Sequence, residues 1–228
     1  MKGHLASNNR QPVDPTCYDE AYFLGSCEGY VEFIAGEGAH LSRRLNQALQ
    51  VAEVEAGMRV LDVGCGRGEV LRHCAEKGAE AHGLDYAPVA VRMALDVALA
   101  DGGAPGRVVV YRADAKHLPF PDTCFSRVLM FDLVEHLMPW ELSQALREAH
   151  RVLEPGGRLV VHTAPNIWYD RFAYPLVRLV RRLMGQGANY PTNPRAIVPV
   201  NVDVHVNEQS ALGLWWLLAH LLDSTEPR

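Results

Sequence analysis

A chain of 228 residues has room for one core-bearing domain and little for a second. Its 48% hydrophobic content and net charge of −5 describe an ordered globule, which excludes a disordered chain and argues against a duplex nucleic-acid binder. Five cysteines, odd in number and without a C-x-x-C pair, argue against a disulfide framework or zinc site and for a reducing compartment. Met1 to Arg10 lacks an apolar segment and the most apolar run, Leu212 to Leu222, is too short to span a bilayer, so a cytoplasmic protein is expected.

Residues 1–16 are polar, carry Pro12 and Pro15, and read as a loose leader. Three short helices are expected next, over Tyr18–Leu24, Glu28–Ile34 and Leu41–Val51, the last with Leu41, Leu45, Ala48, Leu49 and Ala52 at helical spacing. Arg59–Val63 is an apolar run that reads as a buried strand. It ends in Gly64, Gly66 and Gly68, which let the backbone turn tightly and approach a ligand while the following helix presents free N–H groups. The spacing is not the dinucleotide pattern G-x-G-x-x-G, because Glu69 stands where its third glycine would be, and this disfavours a nicotinamide oxidoreductase.

A second strand over Glu80–Leu84 ends at Asp85, about twenty positions past the first glycine, where a carboxylate accepts from ribose hydroxyls. Tyr86 is placed to lie against an adenine face, and Pro88 opens a helix to about Ala100 that Asp101-Gly102-Gly103 stops. Val108–Tyr111 is a third strand followed by Asp114-Ala115, and Ser126–Phe131 a fourth followed by Asp132-Leu133-Val134-Glu135-His136-Leu137. A helix from Pro139 to about Leu153, a turn at Glu154–Gly157 and a fifth strand over Arg158–Thr163 complete the alternation. Strands alternating with helices predict a doubly wound α/β fold, its mostly parallel sheet covered by helices on both faces and its ligand at the carboxyl ends of the strands.

Val60 to Glu69 resembles motif I of the class I S-adenosylmethionine-dependent methyltransferases, V-L-D-x-G-C-G-x-G. The string Asp114–Phe125 is similar to that family's D-A-x-x-L-P-F-P-D-x-x-F block, with Ser126 where an aspartate is usual, and residues 132–137 resemble its D-x-x-E-H-L loop. Tyr18-Asp19-x-x-Tyr22-Phe23 is similar to a segment that folds over the cofactor in small-molecule members. The resemblance covers roughly Tyr18 to Asn166. It implies a Rossmann-like sheet and an S-adenosylmethionine site, giving S-adenosylhomocysteine as product, formed by Asp62, Gly64, Gly66, Gly68, Asp85, Tyr86, Asp114, Ala115 and Phe131. Asp114 would meet the adenine amino group. The expected organisation is a single methyltransferase domain: leader and helical cap over 1–52, cofactor-binding core over 53–165, substrate lid over 166–206 and C-terminal helix over 207–228. A non-catalytic S-adenosylmethionine-binding or partner-regulating protein of the same fold is the alternative.

Methyl transfer is an in-line displacement that needs alignment and, for some acceptors, a base. His136 and His205 are the candidate catalytic residues, with His162 behind them. Glu135 and His136 are neighbours that diverge by about 100° on a helix, a poor chelate, so no metal is expected. Residues 166–200 hold five arginines against one acid, Asp170, with an apolar stripe through Leu176, Leu179, Val180 and Leu183. A small anionic or amphiphilic acceptor, peripheral membrane contact and a homodimer are compatible with this pattern. The family's final hairpin has no counterpart in the sequence, leaving a truncated sheet edge. Ile197–Val206 alternates valines with Pro199, Asn201, Asp203 and His205 and is expected to supply an edge strand.

Overall fold

The computed structural model describes residues 11–100, 103–164 and 166–223. Three short helices, α1 (Glu20–Gly25), α2 (Tyr30–Gly36) and α3 (Arg43–Val51), precede the sheet. Then β1 (Arg59–Val63), α4 (Glu69–Glu76), β2 (Glu80–Asp85), α5 (Pro88–Ala100), β3 (Arg107–Arg112), β4 (Phe125–Phe131), α6 (Pro139–Val152) and β5 (Leu153–His162) alternate. The five strands are all parallel in the order β3-β2-β1-β4-β5. The chain therefore winds outward from β1 in one direction and from β4 in the other. Between β1 and β4 the connections leave in opposite directions, and a crevice opens outside the strands' carboxyl ends.

Side-chain alternation builds the two faces. Val60, Leu129 and Phe131 enter one core with α3 and α4, whereas Leu61, Val63, Val128 and Met130 enter the other with α6 through Leu142, Leu146 and Ala149. β5 starts earlier than expected: Leu153 already pairs with Phe125, and the pairing then slips so that Arg127 meets Arg158. The expected turn at 154–157, with Gly156 at φ 82°, becomes an irregularity inside the strand.

A third apolar cluster joins the cap to the sheet: Tyr18, Tyr22 and Phe23 pack with Ala87, Ala90 and Val204. Residues 12–17 do not trail away as a loose leader. Asp14 caps a 3₁₀ turn over Pro15–Cys17, and the Val13 carbonyl accepts from the Tyr86 hydroxyl at 3.2 Å. Residues 1–10, and the Asp101-Gly102 part of the expected helix stop, lie outside the described residues.

Beyond β5 the expectation of an edge strand fails. Pro194–Ile197 is a 3₁₀ turn and α8 (Asn201–Val204) is a helical turn. The period-two valines gave a strand signal, but only Val204 is fully buried, while Val202 stays exposed. Two helical turns bury Val200 and Val204 against the cap, and the backbone N–H groups of Val206 and Asn207 bond to the Glu135 carbonyl instead of a strand. Before this lies α7 (Tyr174–Leu183), entered through a π-helical turn at Tyr169–Ala173, and after it α9 (Ala211–Asp223), which starts four residues later than the sequence suggests. α9 rests on the α6 side of the core through Leu214, leaving Trp215 and Trp216 outward. No helix among the described residues is long and apolar enough to cross a membrane.

Candidate active site

The glycine turn after β1 is a cradle shaped by backbone freedom: Gly64, Gly66 and Gly68 all have positive φ. Their roles differ. Gly64 and Gly66 line the crevice, together with Asp62, Asp85, Tyr86, Asp114, Ala115, Phe131 and His136. Gly68 faces away from it, and a Cβ there would stand 2.7 Å from the Ala94 Cα, so this glycine lets α4 and α5 close on each other. At the tip of β2, Asp85 accepts from Gly66 N at 3.1 Å and Ala87 N at 2.9 Å. Burial nonetheless pushes its carboxyl up to about 6, and Asp62 is pushed up to about 8 by burial, with Glu69 and Asp85 adding to the shift. Asp114 is braced from the other side of the crevice by Lys116, whose ammonium lies 2.9 Å from Asp114 and 2.6 Å from Glu141.

Two buried carboxylates raised by desolvation, beside open glycine backbone, fit S-adenosylmethionine, which carries ribose hydroxyls, an ammonium and a sulfonium. Asp85 and the Gly64–Gly66 backbone are the groups of this crevice that would hold such a molecule.

Sequence reasoning missed how the cap is held. Arg67, only 1% exposed, reaches back to the Phe23 carbonyl at 2.6 Å and the Glu28 carbonyl at 2.5 Å, and pairs with the buried carboxylate of Glu69. Phe23 is one of the last residues of α1, whose terminal carbonyls lack helical partners, so the guanidinium satisfies an orphan acceptor. One residue in the cradle thus fastens the lid-like N-terminal helices above it.

His136 is clamped by that cap. Its Nδ1 lies 2.9 Å from the Tyr18 hydroxyl and its Nε2 3.5 Å from that of Tyr22. Burial, with His205 nearby, holds the imidazole down to about 3, so it is neutral at any working pH and a weak proton acceptor. The geometry suits it to anchoring Tyr18 and Tyr22. His162 lies against Asp132 at 3.0 Å. His205 does not line the cofactor crevice. It lines an adjoining chamber of about 540 Å³ with Asp132, Glu135 and His136. The two cavities share Tyr22, Cys27, Glu28, Asp132 and His136 as a common wall.

Asp132 stands at the seam with its backbone in the left-handed region at φ 49°, uncommon for a side-chain-bearing residue and tolerated by aspartate. Burial and the nearby Asp132 raise the Glu135 carboxyl, which accepts from Thr163 at 2.8 Å. The fold brings His205 beside the Glu135–His136 pair, so that one possible ligand atom from each lies within 4.8 Å of the others. The lid arginines Arg178, Arg181 and Arg182 line neither cavity; Arg178 bonds the Tyr190 carbonyl and Arg181 the Gln186 side chain.

Residues 61–161 match the family of the methyltransferase domain. The methyltransferase GfsG of Streptomyces halstedii is 36% identical over 132 residues, covering 58% of this chain and 45% of that protein. A demethylmenaquinone methyltransferase of Thermus thermophilus is 38% identical over 130 residues, 56% of each. The chain thus spans about half the length of the curated relatives it matches. Among solved structures, the YcgJ protein of Bacillus subtilis superposes with a TM-score of 0.55 at 27% identity, over 78% of this chain and 67% of that one. The resemblance to class I S-adenosylmethionine-dependent methyltransferases is thus carried by the matched domain and by the five-stranded parallel sheet.

Proposed function

We propose, taking residues 61–161 as the methyltransferase domain they match, that the chain transfers the methyl group of S-adenosylmethionine to a small amphiphilic molecule held in the chamber beside the cofactor crevice. The observation that carries this reading is the shared wall: Tyr22, Asp132 and His136 face both cavities, so an acceptor in one meets a methyl donor in the other. The bound cofactor supplies an electrophilic methyl carbon on a sulfonium. The protein supplies alignment. Asp85 and the Gly64–Gly66 backbone fix the donor, the Tyr18–Tyr22–His136 hydrogen bonds hold the cap over it, and His205 is the imidazole available to take a proton from the acceptor.

An amphiphilic acceptor is supported by the mixed aromatic and acidic chamber. One relative is named for methylating demethylmenaquinone. The exposed apolar stripe of α7, Leu176, Leu179, Val180 and Leu183 beside Arg182, supports collecting it at a membrane surface, and the outward Trp215 and Trp216 support either that contact or a second copy. The five cysteines are free, in keeping with a reducing, cytoplasmic setting.

Calorimetry with S-adenosylmethionine, S-adenosylhomocysteine and NAD, followed by an acceptor screen read by a 14-dalton mass gain, tests the reading. Micromolar binding of the first two and transfer to at least one acceptor are expected. Binding of NAD alone would overturn it, and tight cofactor binding with no transfer on any acceptor would favour a non-catalytic role. Within an active preparation, His205→Ala should lower turnover by about 10²–10⁴-fold with cofactor affinity kept, if the acceptor must lose a proton.

A further inference from the structure

We propose that the acceptor is an organic amine with an apolar or aromatic body, its cationic nitrogen held by the carboxylates of the chamber where it meets the cofactor crevice. This rests on the methyl-transfer reading above and names its substrate class.

Five carboxyl groups line the chamber, Glu28, Glu32, Asp132, Glu135 and Asp170, against two arginines, and burial raises those of Glu135 and Asp170, so a cation beside them favours their charged form. Both arginines are already engaged. Arg44 lies 2.9 Å from Glu28 and 3.3 Å from Asp132, while Arg195 grips Glu208 through two nitrogens at 2.5 and 2.7 Å. Neither arginine forms an ion pair with Glu135 or Asp170, and the three arginines of α7 lie outside the chamber, so Arg195, tied to Glu208, is the one arginine of residues 166–200 beside Asp170 that lines it.

Polar atoms in the wall lack partners as well. Asp132 Oδ2 and Asp170 Oδ1 are buried without a hydrogen bond, and His205, more than nine-tenths buried, leaves Nδ1 unbonded, with Glu208 3.8 Å away. An anion entering here would meet repulsion, and a neutral molecule without donors would leave these oxygens unsatisfied. An ammonium supplies both charge and N–H donors. The lining is also aromatic, with Tyr22, Tyr30, Tyr169 and Tyr174 in it, which suits an apolar or aromatic body.

Asp132 fixes where the nitrogen sits. It faces both cavities, and its Oδ1 accepts from Arg44 at 3.3 Å and lies 3.0 Å from His162 Nδ1 while Oδ2 has no partner. A nitrogen drawn to the Asp132 carboxyl would sit at the seam between the two cavities. The ammonium gives one proton to a ring nitrogen of His205, and the freed lone pair forms the new bond to the methyl carbon as that carbon's bond to sulfur breaks. The electrons of the broken bond stay on sulfur, so the sulfonium becomes a neutral thioether and the product leaves as a methylated ammonium.

A divalent metal at Glu135, His136 and His205 is the rival occupant of the same negative charge. The deciding experiment is calorimetry on the full chain saturated with S-adenosylhomocysteine, in buffer containing EDTA. The probes are tryptamine, tryptophol and indole-3-propionate, then phenethylamine, 2-phenylethanol and 3-phenylpropionate. The amines should bind at least about tenfold tighter than the matched acids; Asp170→Asn, outside the cofactor crevice, should cut that preference to about threefold or less while S-adenosylhomocysteine binds as before, and Asp132→Asn should cut it at least as far. Equal binding of the three head groups, tighter binding of the acids, or binding by none of them with cofactor affinity normal would overturn the proposal. So would an amine preference that appears only when manganese replaces EDTA. Failure of S-adenosylhomocysteine to bind would instead bring down the methyl-transfer reading, and the amine with it.

Discussion

Replacing Arg67 by methionine should detach the cap and cost more stability than a single side chain ordinarily does. The guanidinium is 1% exposed and pairs with Glu69, itself 5% exposed, while two carbonyls, of Phe23 and Glu28, depend on it for their donors. Removing one partner of a buried ion pair costs about 3–5 kcal/mol because the other charge stays behind uncompensated. Each orphaned carbonyl adds about 1 kcal/mol if the cap stays shut, and less if the cap lifts and lets water in. A loss of about 4–6 kcal/mol follows, or a midpoint lowered by about 10–20 °C in a chain of this size. Urea unfolding followed by circular dichroism, alongside scanning calorimetry, measures it. The diagnostic is the double variant Arg67→Met with Glu69→Met. If the cost of the single change comes from a stranded carboxylate, removing that carboxylate as well restores about half of the loss or more. A single variant within about 1 kcal/mol of wild type, or a double variant as damaged as the single one, would refute the latch.

Other perturbations separate the remaining parts of the site. Asp85→Ala should weaken S-adenosylmethionine by about 1.5–3 kcal/mol in titration calorimetry, and unchanged affinity with the fold intact would remove Asp85 from the cofactor site. Because the folded Asp85 carboxyl is raised to about 6 from 3.8, the folded chain keeps a proton that the unfolded chain releases, so unliganded stability falls as pH rises from about 4 to 6, by up to ~3 kcal/mol. Asp85→Asn should flatten that slope in pH-dependent urea midpoints. Gly68→Ala, which sets a Cβ 2.7 Å from the Ala94 backbone at φ 86°, should destabilise by about 2–4 kcal/mol, whereas Gly66→Ala, with its nearest neighbour 3.5 Å away, should cost only about 1–2 kcal/mol of conformational strain. The reverse ranking of urea midpoints would contradict the packing role of Gly68. Changing Arg178, Arg181 and Arg182 together to glutamine should reduce sedimentation with anionic vesicles by about 3 kcal/mol, on the order of a hundredfold, and leave cofactor affinity alone; no change would return α7 to ordinary packing.

The parts of this molecule that sequence reveals are those whose cause is local. β1 and the cradle were legible because an apolar run and three glycines must do the same thing wherever they occur, and Asp85 because its distance along one strand–helix–strand unit is fixed by the unit itself. Ile197–Val206 misled because period two is a necessary mark of a half-buried strand and not a sufficient one. Here Pro194 and Pro199 begin helical turns, and the cap buries only some of the valines. Arg67 gave no sign in its own neighbourhood, since the carbonyls it serves are 44 and 39 residues away. The same holds for the chamber, where Glu28 and Asp170 carry no pattern in the chain and join Asp132 only through tertiary packing. The lid arginines read as a substrate contact because charge can be counted from sequence, whereas direction cannot.

The position of the latch also sets an order of events during synthesis. α1 and α2 leave the ribosome first, yet the guanidinium that ties them down arrives with Arg67, and Tyr18 and Tyr22 find His136 only after a further 69 residues. The central strand β1 likewise waits for β4, since nothing between β3 and β4 can occupy its second edge. The contacts that hold the cap are therefore complete only once β4 and the loop after it have been made. A closure held by so few cross-chain contacts is also the part that can reopen without unfolding the sheet beneath it.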